Sequence, residues 1–350
     1  MRSHVRNVIV IAVAVGLVAL FLRNVDLWRV ASDIVHARPE WLVLSVVMMT
    51  VKLAVQALRW RYLLEPLGET TFMRSFKATA VGFAASSILP ARAGEVIRPY
   101  FLARSEKRQE RMTATGAFAT IILERLLDVL TVLTLLASYV FVFGRDLART
   151  NPMMFTGLKW AGATAAAGSV AALVVLFVLA GNPERLRRTL ERLEQVVPST
   201  FAGLIARIAE KFARGLGAIR RPGRLLVAVA WSFPVWLSIC VGIWACAVAF
   251  QITMPFTGTF LILSLLVLGV AVPTPGAVGG FHAAFRYGAT TFFGAPDDAA
   301  VGAAIVLHLF SVGPSLLLGL LFAAQEGINI AGMRRLAEDN SQLSTANSES

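Results

Sequence analysis

Long apolar stretches separated by shorter polar ones dominate the chain. The apolar stretches that are not interrupted cover residues 8–22, 41–64, 113–143, 158–179, 225–250 and 300–324. A helix of about 20 apolar residues crosses the roughly 30 Å hydrocarbon core of a bilayer, and most of these stretches reach that length. The pattern therefore predicts about six full membrane-spanning helices.

Two further apolar segments, 72–104 and 257–293, are interrupted at their centres. The first contains Pro90 and Gly94, and the second contains Pro273, Pro275 and Gly276. Proline and glycine end helices, and the backbone groups that they release must find partners in protein or water rather than in lipid. We therefore predict two broken, re-entrant helical segments inside the bundle.

The remaining regions are polar. Residues 24–40 are predicted to be a short connection, residues 182–224 a basic amphipathic region at the cytoplasmic surface, and residues 331–350 a disordered cytoplasmic tail. Residues 1–330, including 182–224, then form one transmembrane domain.

Composition supports a membrane protein. The chain is 57% hydrophobic and only 15% charged, which is too apolar for a soluble protein of 350 residues. The net charge of +12 raises the possibility of nucleic-acid binding, but the basic residues lie in the loops between spans, where they orient the protein and contact anionic headgroups. Nucleic acid is therefore excluded as a partner. Cys240 and Cys246 lie in one apolar segment without disulfide or metal-site spacing.

The distribution of Lys and Arg sets the predicted topology. With a cytoplasmic N-terminus, the inner segments carry 22 of these residues and the outer segments carry 6. This asymmetry predicts a multi-pass protein of the cell membrane with both termini in the cytoplasm. With this topology, one order of segments occurs twice in opposite orientations: span, span, broken segment, span. We therefore predict an all-α fold with an inverted repeat.

The first broken segment and the following span contain charges that an ordinary span lacks. These residues are Arg92, Glu95, Arg98, Glu124, Arg125 and Asp128. Arginine binds phosphate through two parallel hydrogen bonds, and a helix beginning near Gly94 adds its positive dipole end. One interpretation is a receptor for a lipid phosphate. The other is a buried ionic network that holds helices together.

Three polar residues share one face of the second span, because Lys52, Gln56 and Arg59 are spaced i, i+4, i+7. Arg59 is expected to snorkel to the inner interface, whereas Lys52 lies deeper and faces protein or water. Lys52 is thus a candidate headgroup ligand or, alternatively, a polar residue used only in packing.

The second broken segment offers candidates of a different kind. Gly276, Gly279 and Gly280 allow close approach of backbone to a headgroup, and His282 and Arg286 supply donors at i, i+4. The alternative for His282 is a core histidine whose hydrogen bonds are satisfied within the protein. No metal ligand set accompanies these residues.

Three motifs resemble a known family. The residues Pro90-Ala-Arg-Ala-Gly-Glu-x-x-Arg98, Glu124-Arg-Leu-Leu-Asp128 and Pro273-Thr-Pro-Gly-Ala-Val-Gly-Gly280 resemble the signatures of the lysylphosphatidylglycerol synthase transmembrane-region family, also called flippase-like membrane proteins. Ala91 and Ala277 replace glycines of those signatures. The resemblance implies handling of a polar lipid, such as an anionic phospholipid or a polyprenyl-linked lipid. The soluble aminoacyl-transferase domain of multidomain relatives is not expected here, so the chain is predicted not to be an enzyme.

The leading hypothesis is a lipid flippase or transporter that binds a phosphate-bearing headgroup between the two broken segments, without a cofactor. No nucleotide-binding phosphate loop is present, so any pumping needs a gradient or a partner. An alternative is a non-transporting accessory subunit or scaffold for a lipid-modifying or glycosyl-transferring enzyme, which would dock on 182–224. A third is a membrane-embedded transferase with Glu95 or Asp128 as its base. The oligomeric state does not follow from the sequence.

Overall fold

The computed structural model describes residues 27–88, 94–105, 112–143, 152–181, 222–271, 277 and 279–326. Over these ranges the chain is helical and contains no strand. The predicted first span at 8–22, the tail 331–350 and the basic region 182–224 up to residue 221 lie outside the described residues.

Ten α-helices follow one another through the described ranges. They are α1 Leu27–His36, α2 Pro39–Leu64, α3 Phe72–Ile88, α4 Gly94–Ser105, α5 Ala114–Ser138, α6 Pro152–Gly181, α7 Pro222–Ala249, α8 Gly258–Ala271, α9 Gly280–Phe293 and α10 Asp297–Gln325. A 3₁₀ turn, Glu65–Leu67, extends α2, and a π-helical segment, Tyr139–Phe143, extends α5.

The predicted interruptions are confirmed. The first broken segment consists of α3 and α4, and the second consists of α8 and α9. The long apolar stretches correspond to α2, α5, α6, α7 and α10. By length and composition three of the described helices are long and apolar enough to cross a membrane: Pro39–Leu67, Gly223–Ala249 and Asp297–Gln325.

The segment 24–40, predicted to be a short polar connection, contains the helix α1, which the sequence analysis did not predict. Val30 and Ala37 are buried on one face of this segment and Trp28 is 87% exposed. The apolar residues recur at helical spacing, but they are too few to stand out in a hydropathy average.

The two sets α2–α5 and α7–α10 pack in matching ways. Helix α2 lies against α7, while each broken segment forms a hairpin, α3 with α4 and α8 with α9. Helix α3 packs on α10 of the other set, and α8 packs on α5 of the other set. Each of these helix pairs in the set α2–α5 therefore has a counterpart pair in the set α7–α10.

Each hairpin crosses at a pair of glycines. A Cβ atom on Gly94 would overlap the carbonyl oxygen of Gly82, and a Cβ atom on Gly280 would overlap the carbonyl oxygen of Gly269. Only glycine permits this approach between the two arms. The glycine next to each interruption therefore sets the distance between the helices that flank it.

Contacts at the two ends of the bundle show that α2 and α7 are antiparallel. At one end the backbone N–H of Arg38 donates to the carbonyl oxygen of Ala249 over 3.1 Å. At the other end, here called the Glu65 end, Arg224 Nη2 lies 2.9 Å from Glu65 Oε2. The charged residues described next lie between these two ends.

Candidate functional site

Arg59 is the centre of a buried ionic network. Its side chain is fully buried, with Nη2 2.8 Å from Glu124 Oε1 and Nη1 2.7 Å from Asp128 Oδ1. The same Nη1 donates to Ser232 Oγ over 2.8 Å. One guanidinium group therefore joins α2, α5 and α7. The expectation that Arg59 snorkels to the interface is wrong, because two carboxylates of α5 hold it in the interior.

Each carboxylate of the network accepts from several donors. Glu124 also accepts from Gln56 Nε2 over 2.9 Å and from Arg98 Nη1 over 3.0 Å. Asp128 accepts from Trp236 Nε1 over 3.0 Å, and its other oxygen lies 3.4 Å from Arg125 Nη2. A buried carboxylate is stable only when such donors replace water. This set of contacts, called the charged cluster below, meets that condition.

Arg98 brings the first hairpin to the charged cluster. It lies on α4 four residues after Gly94, is 4% exposed, and stacks its guanidinium group 3.9 Å from the centre of the Trp60 ring. Trp60 is fixed in turn by a 2.9 Å hydrogen bond from its Nε1 to Thr120 Oγ1. Among the described residues, Nε and Nη2 of Arg98 have no hydrogen-bond partner. Arg98 therefore retains unused donors next to the network.

Lys52 extends the charged cluster along the shared face of α2. Its Nζ lies 4.1 Å from the centre of the Phe83 ring on α3, and the charges of Arg125 and Asp128 act on it. Within the described part of the chain its ammonium group forms no salt bridge. Glu95, on α4, is half-buried and acts electrostatically on Arg125.

A second polar group lies between α9 and α10. The ring of His282 packs on that of His308 with centroids 4.7 Å apart, and Arg286 Nε donates to Asp297 Oδ1 over 2.6 Å. Gly279 precedes α9 with φ 94° and Gly280 starts the helix, both of them buried. Arg286, a predicted headgroup donor, is thus bound to an aspartate.

The sequence model of the lysylphosphatidylglycerol synthase TM region matches residues 7–319. The chain belongs to this family. No curated protein matches the chain. Membership and the apolar helices together indicate a membrane protein, and the family name points to lipid metabolism or transport.

In this family member the first two signature motifs meet in space. Arg98 of the first and Glu124 of the second form a salt bridge, and Asp128 lies one turn further along α5. Arg92, Gly276 and most of the Pro273–Gly280 loop lie outside the described residues, so a meeting of that loop with the charged residues stays a prediction.

Several residues of the charged cluster were not among the predicted site residues. They are Gln56, Arg59, Ser232 and Trp236. The spacing of Lys52, Gln56 and Arg59 already placed Arg59 on the correct face of α2. The sequence analysis did not predict how deeply Arg59 is buried, because its burial depends on partners 65 and 69 residues away along the chain.

Proposed function

We propose that the charged cluster binds the phosphate of a membrane-lipid headgroup and that the protein moves this headgroup across the cell membrane without catalysing a reaction. The observation that carries the proposal is Arg98, a buried cation on a hairpin with two donor atoms unused by the described residues. A phosphate oxygen is the acceptor that suits such donors. The lipid is an anionic phospholipid or a polyprenyl-linked phosphate.

The charge balance of the cluster supports an anionic ligand. Four cations, Lys52, Arg59, Arg98 and Arg125, surround two carboxylates, Glu124 and Asp128. Uncompensated positive charge in a region of low dielectric is unfavourable, and Glu95 supplies only one further negative charge. A bound phosphate removes this excess.

The depth of the cluster supports a role inside the membrane. Arg59 lies six residues before Glu65, and Ser232 lies eight residues after Arg224, so the cluster is about 9–12 Å inside the salt bridge at the Glu65 end. We place that end at the cytoplasmic surface from the Lys/Arg asymmetry. The headgroup then enters from the cytoplasmic side, while the acyl chains stay in lipid.

The matched packing of α2–α5 and α7–α10 supports an inverted repeat with about six spans and two re-entrant hairpins. Transporters with such repeats bind substrate where broken helices meet, and they alternate access by moving one repeat against the other. Here Arg98 connects the hairpin α3–α4 to the acids of α5. A phosphate that replaces Glu124 as the partner of Arg98 would free this hairpin to move.

Reconstituted vesicles test the proposal. The protein is incorporated with a fluorescent phosphatidylglycerol, and transfer between leaflets is followed by quenching of the outer label. Arg98→Gln and Lys52→Gln each remove one positive charge, while Arg104→Gln removes one from the exposed end of the same helix α4 and serves as the matched control.

We expect Arg98→Gln to slow transfer about tenfold or more, since a charge-assisted hydrogen bond contributes roughly 1.5–3 kcal/mol. Lys52→Gln is expected to have a smaller effect and Arg104→Gln none. Equal rates for wild type and Arg98→Gln would rule out the charged cluster as the site. No acceleration by the wild type, with this lipid or with a polyprenyl phosphate, would rule out transport.

A further inference from the structure

Gln56 is a buried amide with one atom unused. Its side chain on α2 is 3% exposed, and its Nε2 donates to Glu124 Oε1 over 2.9 Å. Its Oε1 has no hydrogen-bond partner among the described residues. A buried carbonyl oxygen without a donor is unfavourable, and native proteins contain few such atoms. The amide therefore needs a donor that the described part of the chain does not supply.

The orientation of this amide is fixed by its neighbour. The nitrogen and the oxygen of a glutamine amide are nearly identical in shape, so the partner decides which of them faces it. Glu124 is a carboxylate that also accepts from Arg59 and Arg98. An amide oxygen turned towards it would be repelled, whereas the amide N–H donates to it. Oε1 is consequently the unused atom, and it offers an acceptor rather than a donor.

This acceptor lies close to the proposed phosphate donors. Gln56 Nε2 binds Glu124 Oε1, and Arg98 Nη1 binds the second oxygen of the same carboxylate over 3.0 Å. The two nitrogens are therefore at most about 8 Å apart, since only one carboxylate separates them. An amide oxygen lies about 2.3 Å from its nitrogen. A phosphate held by Arg98, together with a group attached to its ester oxygen, fits this span.

The charge around Gln56 decides which kind of donor suits it. Lys52 and Arg59 lie on the same face of α2, and Arg98 and Arg125 complete four cations against two carboxylates. This excess of positive charge repels an ammonium group of a ligand but not a neutral hydroxyl group. A hydroxyl group also accepts a hydrogen bond, and within the described ranges Nε of Arg59 and of Arg98 has no partner.

We propose that Gln56 is a specificity-determining residue that binds a hydroxyl group of the headgroup beside the phosphate. The inference rests on the proposed function, because it places the hydroxyl relative to a phosphate at Arg98. The ligand class is a phosphodiester whose alcohol carries a further hydroxyl group, such as a glycerol or a sugar. A headgroup without that hydroxyl leaves the carbonyl of Gln56 unpaired, and this difference selects between lipids of the same charge.

Binding of short-chain lipids to the purified full chain in detergent micelles tests the inference. Dihexanoyl phosphatidylglycerol is compared with dihexanoyl phosphatidylpropanol, which has the same charge and the same acyl chains but no hydroxyl in its headgroup. Titration calorimetry gives both dissociation constants. Gln56→Met is the informative variant, because methionine keeps the length of the side chain and removes the amide. Gln325→Met, at an exposed glutamine that ends α10, is the matched control.

We expect the wild type and Gln325→Met to bind phosphatidylglycerol about tenfold more tightly than phosphatidylpropanol, because phosphatidylpropanol leaves a buried acceptor unpaired. In Gln56→Met the two dissociation constants should be equal. Equal binding of the two lipids by the wild type, or a preference that persists in Gln56→Met, would overturn the inference. The wild-type comparison needs no variant, so it decides the question even if Gln56→Met does not fold.

The variant Arg98→Gln separates this inference from the proposed function. We expect it to weaken both lipids and to keep their ratio. If it weakens both while the wild type does not distinguish them, the phosphate site stands and the hydroxyl subsite is refuted. If it changes neither affinity, the phosphate site is refuted and the subsite with it.

Two further ligands define the chemistry and the source of the donor. Dihexanoyl phosphatidylethanolamine should bind no more tightly than phosphatidylpropanol, and tighter binding than phosphatidylglycerol would refute the hydroxyl in favour of an ammonium group. Glycerol phosphate should bind the wild type at least about tenfold more weakly than phosphatidylglycerol, because it lacks acyl chains. An equal affinity that Gln56→Met abolishes would support the subsite but assign it to a soluble ligand rather than to a lipid.

Discussion

Replacing Arg59 by methionine is the most direct test of the charged cluster as a structural centre. The substitution keeps an unbranched side chain that helices accept and removes three hydrogen bonds, to Glu124, Asp128 and Ser232. Two carboxylates would then remain in the interior. Each would keep other donors, Gln56 and Arg98 for the first and Trp236 and Arg125 for the second.

The magnitude follows from these partners. Removing one member of a buried ion pair costs about 3–5 kcal/mol, because an uncompensated charge remains. The remaining donors reduce this cost, as does a membrane-embedded unfolded state in which polar groups find other partners. We therefore expect Arg59→Met to lower the free energy of unfolding by about 3 kcal/mol. Arg61→Met, two residues away on the exposed face of α2, should change it by less than about 0.5 kcal/mol.

Reversible denaturation of the purified protein in mixed micelles measures both variants under identical conditions. A double-mutant cycle with Glu124→Gln then isolates the ionic contribution, and we expect a coupling of about 1–3 kcal/mol between Arg59 and Glu124. If Arg59→Met were no more destabilising than Arg61→Met, or if the coupling were absent, the argument that this network holds α2, α5 and α7 together would be refuted.

Two further predictions concern the first hairpin. Gly94→Ala should destabilise the protein by several kcal/mol, because its methyl group would overlap the carbonyl oxygen of Gly82. The control Gly313→Ala places its methyl group in open space and should be neutral or slightly stabilising. Thermal unfolding of both variants tests this difference. Trp60→Phe should lower the free energy of unfolding by about 1–2 kcal/mol, because Thr120 Oγ1 loses the hydrogen bond from the indole N–H. It should also weaken binding of short-chain phosphatidylglycerol to the protein in micelles, because the indole ring no longer holds the Arg98 guanidinium group in place. An unchanged lipid affinity in Trp60→Phe would show that stacking does not position the arginine.

The helical architecture could be predicted from the sequence because its signals are local. Apolar length predicts spans, and the prolines and glycines near residues 90 and 275 lie between the two helices of each hairpin. Helix α1 was not predicted because Val30 is its only fully buried apolar residue, with Ala37 just beyond its end. Its burial depends on α10, to which the sequence of α1 alone does not point.

The site could be predicted only in part, because its contacts join residues that are far apart in the sequence. The salt bridge between Arg98 and Glu124 follows from opposite charges on neighbouring buried segments. The depth of Arg59 does not, because an arginine five residues from a helix end has two physical solutions: it extends to the interface or it binds acids in the interior. The second is realised here because Glu124 and Asp128 are one turn apart on the facing helix.

The two hairpins share a backbone arrangement but differ in chemistry at the crossing. A Cβ atom on Gly82 would lie 2.7 Å from the Cβ of Arg98, and one on Gly269 would lie 2.9 Å from the Cβ of Ala284. Ala284 thus holds the place in the second hairpin that Arg98 holds in the first. Since the second hairpin has the same glycine crossing with an alanine at this place, the crossing itself does not require the charge of Arg98. Within the described residues Arg98 pairs with Glu124 and keeps Nε and Nη2 without a hydrogen-bond partner, and these two atoms are the donors that the proposed phosphate would use.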